Sequence, residues 1–236
     1  MKIVSRLLLV AALASGLAAP AAATALLTVE QVDASLLLPP PPANDSPREA
    51  AEIAELKAIA AHRTPAEWDA ATADAKDSTG DWFASAIGPG FDLAKLPATR
   101  HLLADIGDTE GVVAEGAKKY FHRDRPWIVI PNLQTCTPVK PGPAPTSYPS
   151  GHSTIAFAMG VTLARLVPDK AQAILARAEL YAERRLVCGM HFRSDIVAGE
   201  ALGTAIALDL LQNPDFRKEY DAAAAELAAA HLRSVP

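Results

Sequence analysis

Ser46-Pro47-Arg48-Glu49, followed further on by Thr64-Pro65-Ala66-Glu67, decides the fold class of this chain. Each stretch puts a hydroxyl where a helix N-cap belongs, proline at the first helical position and glutamate at the third. The hydroxyl can accept from a free backbone N–H of the first turn, where proline has none to lose. The first stretch predicts a helix to about His62, with Ile53, Leu56 and Ala60 on one face. The second starts another helix directly after it. Gly88-Pro89-Gly90 closes this hairpin, and helical patterning resumes from about 97 to 122, with Pro126 as its expected stop. Three further helices are expected over about 151–167, 169–187 and 191–212, and a last, alanine-rich one after Asn213-Pro214. No alternating run reads as a strand. The pattern predicts an all-α, single-domain helical bundle.

Composition agrees with that class. Of 236 residues 50% are hydrophobic but only 6% aromatic, and the surplus is largely alanine, a strong helix former. A net charge of −5 argues against nucleic acid as a partner, because such binders rely on cationic surfaces. Part of the hydrophobicity is a leader. Lys2 and Arg6 precede an apolar run from Leu7 to about Ala19, then Pro20 and the small residues Ala21 to Ala25. Residues 1–23 therefore read as a signal peptide, and the mature protein as exported, periplasmic and free of the membrane. The later apolar stretches at 155–167 and 196–211 are broken by Arg165, and by Glu200 with Asp209. Residues 24–45 read as an extended, proline-rich entry segment ending in Pro39-Pro40-Pro41-Pro42, laid across a helical domain of residues 46–236. In an oxidising compartment Cys136 and Cys188 are expected to pair, two buried free thiols being the other reading.

Three places carry chemistry. The proline-rich loop at 131–149 runs into Tyr148-Pro149-Ser150-Gly151-His152. Ser150 is the natural N-cap of the next helix, Gly151 lets a ligand approach its free N–H groups, and such a terminus attracts anions. In the second, Arg185 continues the inward line of Ile174, Ala178 and Tyr181, so a charge on a core stripe wants an anionic partner. His191 and Asp195, four apart, would share a helix face, with the carboxylate accepting from Nδ1–H and Nε2 left unprotonated. Gly199 and Gly203 continue the Asp195 line and would let another helix pack close. In the third, Lys118 and Arg125 are spaced to point the same way, although Lys118-Lys119 and Arg123-Arg125 read equally as a solvated basic face. His62, His101, His122 and His231 show no metal-ligand spacing and read mostly as surface groups.

Taken in order, Lys118-x6-Arg125-Pro126, Pro149-Ser150-Gly151-His152 and Arg185-x5-His191-x3-Asp195 resemble the three-part signature of the phosphatidic acid phosphatase type 2/vanadium haloperoxidase superfamily. The entry segment from Leu38 to Ser46 and the leader resemble the bacterial class A non-specific acid phosphatases within it. The resemblance implies the helical bundle of that superfamily and a metal-independent acid phosphatase, without cofactor, acting on small phosphate monoesters. It implies His191 as nucleophile, Asp195 as its orienter, and His152 as the acid and then base. Lys118, Arg125, Ser150, Gly151 and Arg185 would hold the phosphate, and relatives imply a homodimer. One position departs: Arg184 stands where the family usually has serine, which puts a hydroxyl contact in doubt and adds a positive charge. The alternatives are a vanadate-dependent haloperoxidase, which needs the same cradle, and a non-enzymatic exported phosphate- or anion-binding protein, which needs neither histidine.

Overall fold

The computed structural model describes residues 25–139 and 146–234. The leader read at 1–23 lies outside the described residues. Ten α-helices and no strand occur among them: α1 (Ala34–Leu37), α2 (Pro47–His62), α3 (Pro65–Asp74), α4 (Ala84–Ile87), α5 (Pro97–Phe121), α6 (Pro126–Val129), α7 (Gly151–Leu166), α8 (Ala171–Val187), α9 (Arg193–Leu210) and α10 (Pro214–Ala229). The protein is the all-α bundle its caps predict. At the start of α3, Thr64 Oγ1 accepts from Glu67 N, and the Glu67 carboxylate accepts from Thr64 N at 2.7 Å, a complete capping box. At α2 only half of that box forms. Ser46 Oγ accepts from Glu49 N, but the Glu49 carboxylate reaches past the cap to Asp45 N at 2.6 Å.

Three expectations need correction. The entry segment is not extended throughout: Asp33 accepts from Ser35 N and caps the short helix α1. Leu27, Val32, Ala34 and Leu38 bury themselves on the bundle, and Tyr148 Oη donates to Pro39 O at 2.5 Å. Pro126 does not end α5. That helix stops at His122 in the left-handed region (φ 49°), and Pro126 instead opens α6. Lastly, α9 begins at Arg193, so His191 precedes the helix.

Helix α7 is the centre of the bundle, packed against α9, α8 and α5, while α10 covers the other side of α5. Contact between α7 and α9 is between backbones. A Cβ on Gly199 would stand 2.5 Å from Ser150 O, and one on Gly203 would stand 2.1 Å from Thr154 O. No larger residue fits at either position without moving a helix. One core cluster gathers Phe83, Leu103, Ile106, Met159, Tyr181 and Leu202; a second, around Leu56, Ile130, Leu186, Phe192 and Ile196, meets it at Phe157. Chain order then brings one end of each long helix together: the C-termini of α5 and α8 with the N-termini of α7 and α9. All eight candidate site residues lie at or beside these four ends.

Candidate active site

The turn from α8 into α9 sets the position of His191. Gly189 takes a left-handed conformation (φ 64°) and donates to Leu186 O, and Met190 N returns to Arg185 O. This is a Schellman stop, in which a positive φ lets the chain cap its own last carbonyls. The Cys136–Cys188 disulfide and the Cys136 N–H on Cys188 O fasten this turn to the proline-rich loop. Met190 O then accepts from Arg125 Nη1 at 3.0 Å, and the next residue, His191, is buried at 2% exposure. The same Nη1 lies 2.8 Å from His191 Nε2, so that nitrogen accepts and carries no proton. Nδ1 faces Asp195 Oδ2 and Ser147 Oγ, each at 3.4 Å. The tautomer expected from sequence results, although the pair owes its geometry to the turn and not to a shared helix face.

Asp195 sits in a saturated network. Oδ1 accepts from Arg123 Nη1 at 2.6 Å; Oδ2 accepts from Ser147 Oγ at 2.5 Å and Phe192 N at 2.8 Å. Arg123 also donates to Ser194 Oγ and to Glu52 Oε2, and Glu52 Oε1 accepts from Ser194 N. Burial pushes the Asp195 pKa up, while the Arg123 charge and the bonds from Ser147 and Phe192 oppose this. Arg123, read from sequence as part of a solvated basic face, is therefore a buried group whose partners come from α2 and α9. Ser147 and Glu52 were also missed.

The opposite wall is the start of α7. Ser150 Oγ accepts from Ser153 N and Ser153 Oγ, and Ser150 N donates to Asp195 O, tying α7 to α9. A cavity of about 280 Å³ opens beside it, lined by Lys118, Gly151, His152, Ser78, Glu110 and Glu115 among others. A Cβ on Gly151 would meet Glu110 Oε1 at 3.1 Å and Lys118 Nζ at 3.3 Å, so both groups lie directly over this glycine. Glu110 was not singled out from sequence; its pKa is pushed up to about 7 by burial, against the pull of Lys118. His152 stacks on Tyr181, with ring centroids 5.8 Å apart. Burial, then the Arg185 charge, pushes the His152 pKa down to about 3. His191 is held well below its usual value by burial and then by Arg125, Arg185 and Lys118. Both shifts favour the neutral imidazole.

Arg185 completes the set. It is 3% exposed on the inward line of α8, as expected, and its Nε and Nη1 have no hydrogen-bond partner among the described residues. Burial lowers its pKa to about 10, which leaves it charged. A buried guanidinium with two unpaired donors calls for an anionic partner. The neighbouring Arg184 does not add its charge to the cradle. It turns to α3, where Asp74 takes Arg184 on one oxygen at 2.6 Å and Arg177 on the other at 2.7 Å. Among the remaining histidines, His62, His122 and His231 are exposed as expected. His101 instead lies between Asp105 and Glu219, at 3.9 and 3.8 Å. That group is on the far half of α5 from Lys118.

Comparison with known proteins identifies the family. A family profile described as the PAP2 superfamily matches residues 107–218, the span holding every candidate residue. The chain is 33% identical over 207 residues to an acid phosphatase of Zymomonas mobilis subsp. mobilis, covering 84% of this chain and 76% of that protein. This chain belongs to the PAP2 superfamily. Within the superfamily it groups with the acid phosphatases. It is also 32% identical over 200 residues to a non-specific acid phosphatase of Salmonella typhi, covering 80% of this chain and 78% of that one. A solved PAP2 structure, the transmembrane PAP2 type phosphatidylglycerolphosphate phosphatase from Bacillus subtilis, shares the fold. It superposes with a TM-score of 0.53 at 18% identity, over 78% of this chain and 90% of that chain. Among the described residues of the present protein no helix is long and apolar enough to cross a membrane.

Proposed function

We propose that this PAP2 protein is an exported acid phosphatase that hydrolyses small phosphate monoesters through a phosphohistidine at His191, without a metal ion. The observation that carries this reading is Arg185: two idle donors on a buried cation, beside a buried, neutral histidine whose Nδ1 faces a carboxylate. Phosphoryl transfer asks the protein for in-line positioning and for charge to stabilise the equatorial oxygens. Lys118, Arg125 and Arg185 supply that charge, with the Ser150 hydroxyl and the Gly151 N–H at the head of α7. Incoming phosphate draws Arg125 off His191 Nε2 and frees the lone pair. Nε2 then bonds to phosphorus as the phosphorus–oxygen ester bond breaks, and Asp195 stabilises the positive charge that develops on the ring.

His152 gives its proton to the departing alkoxide, then takes one from the water that cleaves the phosphorus–nitrogen bond, which returns free His191 and phosphate. Its low pKa follows from burial and from the charge of Arg185, with Lys118 and Arg125 adding to it. A bound phosphate brings the opposite charge and raises that pKa, so the acid form is available when substrate is present. Activity should therefore fall as pH rises, because the acid must start protonated. Export is supported by the leader pattern at 1–23 and by the Cys136–Cys188 disulfide. Release of the activity by osmotic shock, in a form lacking the leader, tests it.

The mechanism is tested by a rapid alkaline quench with phosphorus-labelled substrate, which should trap labelled protein. His191→Ala should abolish both label and turnover, orthovanadate should inhibit, and EDTA should leave the rate unchanged. Normal turnover by His191→Ala, or strict dependence on an added divalent ion, would overturn it.

A further inference from the structure

The cavity above Gly151 is chemically mixed. Lys118 and His152 line it together with Glu110, Glu115 and Ser78, and Glu110 and Lys118 both stand over Gly151. On the proposed mechanism the phosphate lies at the head of α7 beside Lys118, and the leaving group takes up the rest of the cavity. We propose that the carboxylates of this cavity select the leaving group by charge, favouring alcohols that carry an ammonium group and rejecting those that carry a second anion. This inference rests on the phosphatase reading above.

The grounds are the two carboxylates and what surrounds them. Glu110 and Lys118 are eight residues apart on α5, about two turns, so they share a face and meet over Gly151. Substrate phosphate competes for that lysine and leaves Glu110 facing the leaving group. Glu115, exposed on the same helix, adds a second acidic group at the rim. Within this cavity Glu110 faces Lys118 and Glu115 of its own helix and His152 of α7, with Lys118 the one lysine or arginine among the described lining residues; in the neighbouring cavity that Glu110 also lines stand Asp81, Arg100 and Asp108. An ammonium placed here gains a carboxylate partner, whereas a carboxylate or second phosphate meets like charge at partly desolvated distance. Burial raises the Glu110 pKa to about 7, so its carboxyl passes from hydrogen-bonding acid to anion near neutrality.

Three substrates of one size test the inference: 2-aminoethyl phosphate, 2-hydroxyethyl phosphate and phosphoglycolate, with phenyl phosphate as the reference. At pH 7 and low ionic strength, kcat/KM should favour 2-aminoethyl phosphate over phosphoglycolate by about tenfold, with 2-hydroxyethyl phosphate between them. Glu110→Gln should reduce that ratio at least about threefold, and Glu110→Gln with Glu115→Gln should bring it near unity. A wild-type ratio within about twofold of unity would overturn the inference, as would a ratio indifferent to both substitutions. Hydrolysis of phenyl phosphate with no charge preference would sink this inference alone. No hydrolysis of any of the four would remove the phosphatase reading, and this inference with it.

Discussion

Arg123 and Arg185 are buried alike, at 6% and 3% exposure, yet their surroundings are opposite. Arg123 is surrounded by anions and hydroxyls of the protein itself: Asp195, Glu52 and Ser194. Arg185 has hydrophobic neighbours on its own helix line and two donors with no partner among the described residues. A buried cation is tolerable only with a counter-charge. Arg123 draws its counter-charge from the fold, so it serves structure and holds Asp195 in place. Arg185 has no such partner within hydrogen-bond distance for Nε and Nη1 among the described residues, and under the proposed function the substrate phosphate supplies it. On that proposal the difference separates, within one site, the residues that build the cradle from those that use it.

That contrast can be broken. Arg123→Met leaves Asp195 and Glu52 buried without their cation and should cost about 3–5 kcal/mol of folding stability, read by denaturant unfolding. Arg185→Met should do the reverse. Unfolding should be unchanged or shifted to higher denaturant, while kcat/KM falls by about 10²–10³-fold, the scale for losing a donor to developing negative charge. If both variants lost stability equally, the distinction between a building and a using arginine would fail. A smaller effect sharpens it. Gly203→Ala pushes a methyl against Thr154 O and should cost about 1–3 kcal/mol as α7 and α9 separate. Because Ser150 N hangs on Asp195 O across that contact, kcat should fall as well, although Gly203 touches no substrate.

Much of this was legible in the sequence because the signals were local. Hydroxyl caps, N1 prolines and the Gly199–Gly203 step each act within a turn or two, and each produced its element. The inward line of Ile174, Ala178, Tyr181 and Arg185 is a helical period, and it put a buried charge in the right place. What failed was either non-local or a competition between local signals. Arg123 looked like a surface residue because its partners, Glu52 and Asp195, lie 71 and 72 residues away. The four-residue spacing to Asp195 points to a shared helix for His191, but Gly189 at positive φ stops α8 and α9 starts only at Arg193, so the two local signals compete and the stop wins. Glu110 was overlooked although its two-turn spacing from Lys118 was as readable as that of Lys118 and Arg125. An acidic residue among candidate phosphate-binding cations looks out of place in the sequence, and only the fold brings it over Gly151.

The bond from Tyr148 to Pro39 joins residues 109 apart. The arm that carries Pro39 is made early, yet its anchor is the residue next to Pro149 and Ser150, at the threshold of α7. Leu27, Val32 and Leu38 therefore have nowhere to dock until the middle of the chain has assembled, and contacts this distant in sequence form slowly. The arm, made before any of the long helices, is therefore expected to dock after them. Its docking on Tyr148 joins the start of the described chain to the residue that leads into the head of α7.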